Sequence, residues 1–153
     1  MSASTDTIVV GVDGSEGGAA ALEFAAGEAA FRGARLRIVS AWQVPASAYG
    51  GEFAIPMDVA EWDAFRVHAQ HVADEALAQV KKLQQSLEPE VQVAQGQPAD
   101  VLLAQSADAT LVVVGRRGLG GFRSLLLGSV SHQVVQHATC PVVVVNQPAE
   151  IGA

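Results

Sequence analysis

The chain has 153 residues, half of them hydrophobic, and carries a net charge of −7. That length suits one domain, read here as spanning 1–153 with its compact part at about 6–147. The acidic balance argues against nucleic-acid binding, which rests on phosphate neutralisation. No apolar run approaches the ~20 residues of a membrane span, and Met1 to Asp6 offers neither the basic nor the apolar part of a signal peptide. The expectation is therefore a cytoplasmic protein without membrane or nucleic-acid partners.

Ile8-Val9-Val10-Gly11-Val12 reads as a buried strand that ends in the turn Asp13-Gly14-Ser15. Ser15 can cap the alanine-rich helix that follows, predicted over Ala19 to Phe31 and stopped by Gly33. Leu36 to Trp42 is a second strand. Gln43 to Met57 holds Pro45, Gly50, Gly51 and Pro56 and reads as a long connection, of the kind that serves as a lid or partner surface. Asp58 opens a long helix whose apolar face runs from Trp62 through Val72 and Val80 to Leu87, with Pro89 ending it. Val91 and Val93 alternate with polar residues in a half-exposed third strand. A short helix, Ala99 to Ser106, precedes strand four, Leu111 to Val114. A last helix, Val130 to His137, leads to strand five, Val142 to Val145, and a frayed tail after Asn146. Strands alternating with helices argue for an α/β domain with a parallel sheet covered on both faces. Ligands on such sheets sit at the C-terminal ends of the strands, where the strand order reverses.

Between strand four and the last helix lies GRRGLGGFRSLLLGS, Gly115 to Ser129, with five glycines, three arginines and no carboxylate. Residues 109–149 contain no Asp or Glu, so this stretch carries +3 and the rest of the chain −10. A positive island in an acidic protein suits a small anion better than a long polyanion. A strand, a glycine-rich loop and a helix N-terminus together can hold phosphate through backbone N–H groups and the helix dipole. The Walker pattern Gly-x4-Gly-Lys-Ser/Thr and the dinucleotide pattern G-x-G-x-x-G are both missing. Gly115 would turn the chain beside a sugar or base. Gly118, Gly120 and Gly121 could expose N–H groups, and Gly128, Ser129 and Ser131 would meet terminal phosphate oxygens. On this reading Gly115→Ala weakens binding because its Cβ would meet the ligand.

The spacing Gly115-x2-Gly118-x9-Gly128-Ser129 resembles the nucleotide signature of the universal stress protein family, in its ATP-binding branch. Val9-Val10-Gly11-Val12-Asp13-Gly14-Ser15 is similar to the family's opening strand and turn, and Gly33 to Val39 to its second strand. Gly128 to Ser131 and His137 to Val145 resemble its closing helix and strand. The resemblance implies a three-layer α/β/α fold with a five-stranded parallel sheet in the order 3-2-1-4-5, of adenine nucleotide alpha hydrolase-like type. It implies ATP with Mg2+ as ligand, Gly11 and Asp13 near the ribose or the metal-bound phosphates, and the Ala41 backbone on adenine. Gly115 and Gly118 would line ribose and phosphate, and the loop's own charge and glycines add Arg116, Arg117, Gly120 and Gly121 to the candidate site. Gly128, Ser129 and Val130 would hold the β- and γ-phosphates, next to the Ser131 hydroxyl read from the loop itself. It also implies a homodimer through the edge strand Val142–Val145. Thr110 departs from the acidic residue that many members carry just before strand four.

No positioned base, kinase catalytic loop or nucleophile–histidine pair is legible, so no catalytic residue is assigned. Asp13 reads as a turn-former and ligand contact before a general base. His68 and His71 read as a solvated helix face rather than a metal site, and Cys140 as a small buried hydrophobe beside Pro141. The function expected is a regulatory, nucleotide-sensing module acting in stress response or growth control through a protein partner not yet identified. The alternative is a slow ATPase, or an enzyme autophosphorylating at Ser129 or Ser131.

Overall fold

Ile8, Val9 and Val10 are wholly buried, because the strand that carries them runs through the middle of a sheet covered on both sides. The computed structural model describes residues 6–45, 57–116 and 127–147. In chain order the elements are β1 (Thr7–Gly11), α1 (Glu16–Arg32), β2 (Arg35–Trp42), α2 (Val59–Leu83), β3 (Glu90–Gln95), α3 (Pro98–Gln105), β4 (Leu111–Gly115), α4 (Ser129–His137) and β5 (Val142–Val145). The sheet order is β3-β2-β1-β4-β5 and every pair is parallel. The order expected from the family resemblance is thus the one observed.

Two apolar layers sandwich the sheet. On one face Ile8, Val10, Leu36 and Ile38 pack with Leu22, Ala25 and Ala29 of α1 and Val72, Ala76 and Val80 of α2. On the other, Val9, Val39, Val112 and Val114 pack with Val101 and Leu102 of α3 and Val134 of α4. The alternation of side chains along each strand divides the residues between these layers. No helix among the described residues is long and apolar enough to cross a membrane.

Helix ends follow local chemistry. Ser15 caps α1, its hydroxyl accepting from Gly18 N at 3.1 Å, and Asp58 caps α2 by accepting from Glu61 N. Gly33 closes α1 in the left-handed region at φ 65°, where a side chain would be strained. α1 starts three residues before the predicted Ala19, because the Ser15 cap recruits Glu16, Gly17 and Gly18 into its first turn. α2 stops at Leu83, short of the expected Leu87. Leu87 N instead bonds Gln84 O in a turn, which still brings the Leu87 side chain against the core. The step of four from Leu83 to Leu87 looked helical, but packing alone produced it. β3 is half-buried along Val91 to Ala94, as expected for an end strand, and β5 spans Val142–Val145 with all four valines half-buried. Most of the Gln43–Met57 connection, and the tail beyond Gln147, lie outside the described residues.

Candidate functional site

The predicted site residues sort themselves by the direction of their main chains. Trp42 O accepts from Gly96 N beyond β3, and Val39 O accepts from Val12 N beside β1. Backbone groups alternate along a strand, so the N–H and C=O of Ala41 turn to the β1 side, past Gly11↔Val39, the last β1–β2 pair. On the other flank Arg116 N donates to Val145 O of β5. The same alternation turns the Gly115 main chain to the β1 side, past the last β1–β4 pair, Val10↔Val113. Ala41 and Gly115 therefore address one gap above the end of β1. This is the reversal point of the strand order.

The turn Val12 to Ser15 borders that gap. Gly14 adopts φ 86°, which lets the chain fold back into α1. The exposed Asp13 accepts from Ser15 N at 2.9 Å and from the Ser15 hydroxyl, so the carboxylate braces the α1 cap. Gly11 lies at the end of β1, where a Cβ would meet the Leu102 side chain at 2.8 Å. Its missing side chain makes room for α3.

Gly115 is glycine for a reason the sequence did not suggest. A Cβ there would stand 2.5 Å from Gly17 O and 2.6 Å from Gly17 C, both backbone atoms of the first turn of α1. A close neighbour that excludes a side chain is therefore the protein's own helix, a cause of a Gly115→Ala defect separate from the expected contact with the ligand. The close approach brings the N-terminus of α1 against the exit of β4 on one face of the sheet.

On the other face α4 begins. Gly128 stands at its cap with no side chain to offer, and Ser129 is exposed at the first helical position. Among the described helices α4 alone has no acidic residue in its first turn, where α1 has Glu16, α2 Glu61 and α3 Asp100. The positive end of its dipole is left without a carboxylate from its own first turn. Val130 packs half-buried against the α3–α4 layer. Ser131 differs from expectation: it is buried, and its hydroxyl lies 2.8 Å from Arg116 O and 3.1 Å from Gly128 O. Arg116 is half-exposed at the mouth of the gap. Arg117, Gly118, Gly120 and Gly121 lie outside the described residues.

Residues singled out for other chemistry are placed as follows. His68 and His71 are exposed on α2, with His71 Nε2 3.0 Å from Glu75 Oε1. No cluster of three His, Cys, Asp or Glu able to hold a metal ion occurs among the described residues. Cys140 is half-buried against the α3–α4 layer rather than fully buried, and desolvation pushes its thiol pKa up, against the pull of backbone hydrogen bonds. An open crevice of about 300 Å³, lined by Ala30, Gly33, Arg35, Ser86 and Glu88 among others, lies by the start of β2, at the far end of the sheet from Ala41 and Gly115.

This geometry defines a doubly wound parallel α/β protein whose open main chain and helix N-termini gather at the reversal point. The sequence profile of the universal stress protein family matches residues 4–146. The chain belongs to that family. It is 36% identical over 145 residues to a universal stress protein of Mycobacterium tuberculosis, covering 92% of this chain and 45% of the relative. The chain thus spans about half the length of the mycobacterial relatives it matches. It is 38% identical over 142 residues to one from Thermus aquaticus, covering 92% of this chain and 98% of that one. Among solved structures, UspA from Lactobacillus plantarum superposes with a TM-score of 0.79 at 24% identity, covering 94% and 99% of the two chains. A universal stress protein in complex with cAMP does so at 0.68 and 27%, covering 94% and 98%. One from Archaeoglobus fulgidus in complex with dAMP does so at 0.60 and 25%, again covering 94% and 98%.

Proposed function

We propose that the chain is an ATP-binding regulatory module that reports adenine-nucleotide state to a protein partner. The observation that carries this reading is that the Ala41 and Gly115 main chains both turn toward the gap, with the α4 N-terminus free of acid in its first turn. A base-recognising backbone at one side and an electropositive helix end at the other suit a ligand with an aromatic head and an anionic tail. The cAMP and dAMP complexes of related proteins support the adenine head. The preference for a triphosphate rests on the Gly115-x2-Gly118-x9-Gly128-Ser129 spacing and the arginines around it. The donor set is main-chain amides and hydroxyls, which fits phosphate oxygens; Mg2+ would arrive on the phosphates with Asp13 close by. A regulator in the cytoplasm, working as a dimer through the edge of β5, completes the reading. An unpaired apolar edge asks for a cover, and a two-fold strand pairing would give one.

Mass spectrometry of nucleotide released from purified, denatured protein tests the ligand. The expected result is an adenine nucleotide, with a rise in Tm on adding Mg-ATP that exceeds the rise with cAMP or dAMP. Release of no nucleotide together with no thermal shift from any of the three would overturn the reading. Light scattering gives the oligomeric state in the same sample, and a monomer at all concentrations would remove the β5 pairing.

A further inference from the structure

We propose that Ser131 is a positioning residue for this site, its buried hydroxyl holding the first turn of α4 against the exit of β4. The proposal deepens the nucleotide reading and rests on it for its binding test. Ser131 is 3% exposed, on the same face of α4 as the fully buried Val134 three residues on. A hydroxyl at such a position costs desolvation unless it is hydrogen-bonded. Its oxygen lies 2.8 Å from Arg116 O and 3.1 Å from Gly128 O. A serine has one proton to donate, so it serves one carbonyl at a time. The bond to Gly128 O is the ordinary local bond of a helical serine to the carbonyl three residues back. The bond to Arg116 O is not local, and it is the shorter of the two.

Arg116 is held from three directions. Its N–H donates to Val145 O at 3.0 Å, and its carbonyl accepts from Gly128 N at 2.8 Å as well as from Ser131. Both lone pairs of that carbonyl are then used. One residue earlier, Gly115 is pressed against Gly17. The exit of β4 is therefore fixed on one face by α1 and on the other by α4. Within the α4 contact the Ser131 proton can shift from Arg116 O to Gly128 O, while Gly128 N keeps its own bond to Arg116 O. The hydroxyl thus sets where the Ser129, Val130 and Ser131 amides stand relative to Gly115, which is the separation between the phosphate end and the nucleoside end of the ligand.

Full-length Ser131→Ala and Ser131→Thr test this, with calorimetric titration of adenosine and Mg-ATP and amide exchange at Gly128. Ser131→Ala is expected to fold, to lose about fivefold in Mg-ATP affinity, the scale of one hydrogen bond, and to keep the wild-type affinity for adenosine. Ser131→Thr is expected to restore Mg-ATP binding. Exchange at the Gly128 amide should quicken by a similar factor in Ser131→Ala without any nucleotide present. Unchanged Mg-ATP affinity in Ser131→Ala, or an equal loss for adenosine and Mg-ATP that Thr does not rescue, overturns the positioning role. If the wild type binds no adenine nucleotide the functional reading fails by itself. The exchange measurement then decides the clamp, and an unaltered Gly128 rate refutes it.

Discussion

The two ends of the sheet are built from opposite materials. At the end where the strands begin, long charged side chains saturate one another. Arg37 of β2 reaches Glu90 at the start of β3, Asp108 at 3.0 Å and the Gln105 carbonyl at 2.6 Å. Thr110 donates to Asp6 at 3.2 Å and its backbone N–H bonds Thr7 O at 2.9 Å, tying the starts of β1 and β4. At the end where the strands finish, glycines stand at Gly11, Gly14, Gly115 and Gly128, and the main chains of Ala41 and Gly115 turn to the gap above β1. A saturated end locks the strands, whereas an end built from backbone keeps donors available to something outside the chain. A sheet tied at one end can leave main chain open at the other without losing its ties.

The largest effect should come from Gly115→Ala, which breaks the division between the two ends. A methyl group 2.5 Å from Gly17 O forces α1 away from β4. Overpacking of this kind costs about 2–3 kcal/mol. The melting temperature should fall with or without nucleotide. Loss of nucleotide affinity at unchanged Tm would show instead that the ligand, not α1, occupies that space.

Ser129→Glu sharpens the contrast from the other side. Ser129 is exposed at the first position of a helix with no acid in its first turn. An added carboxylate there should leave stability level or raise it by about 0.5 kcal/mol through the helix dipole. It should weaken Mg-ATP by about tenfold or more and AMP by less, because repulsion grows with phosphate charge. Equal losses for ATP, AMP and adenosine would place the phosphates elsewhere.

Much of this architecture is legible in the sequence, and the exceptions share a cause. The strand–helix alternation, the Ser15 and Asp58 caps, the Gly33 stop and the bounds of β5 depend on near neighbours, and they are as expected. The order 3-2-1-4-5 came from family resemblance, since spacing alone does not fix which strands adjoin. The contact of Gly115 with Gly17 and the bond of Ser131 to Arg116 span long stretches of chain, so no local pattern contains them. Faint signals existed. A Gly17-Gly18 pair in an otherwise alanine-rich helix marks a close approach, and Ser131 sits three residues before Val134 on an apolar face. Thr110 departs from the family's pattern at the start of β4, yet its hydroxyl ties Asp6 there, while Asp108, two residues earlier, pairs with Arg37.

The smallest effect tests the saturated end by pH. Hydrogen bonding to Arg37, reinforced by its charge, holds the Asp108 carboxyl below the ordinary carboxylate range. Such a group contributes stability above its unfolded pKa, and the contribution disappears as pH falls through the depressed folded value. The difference in stability between wild type and Asp108→Asn should therefore be constant from about pH 6 to 8 and shrink below about pH 4. It should be modest, because Asp108 is 70% exposed and solvent screens the pair. Arg37→Ala removes more, since the Gln105 carbonyl also loses its donor, and should cost about 1 kcal/mol. Neither substitution should alter nucleotide affinity. A change in Mg-ATP binding by either would mean that the two ends are coupled through the strands, and the separation of ties from ligand groups would then be wrong.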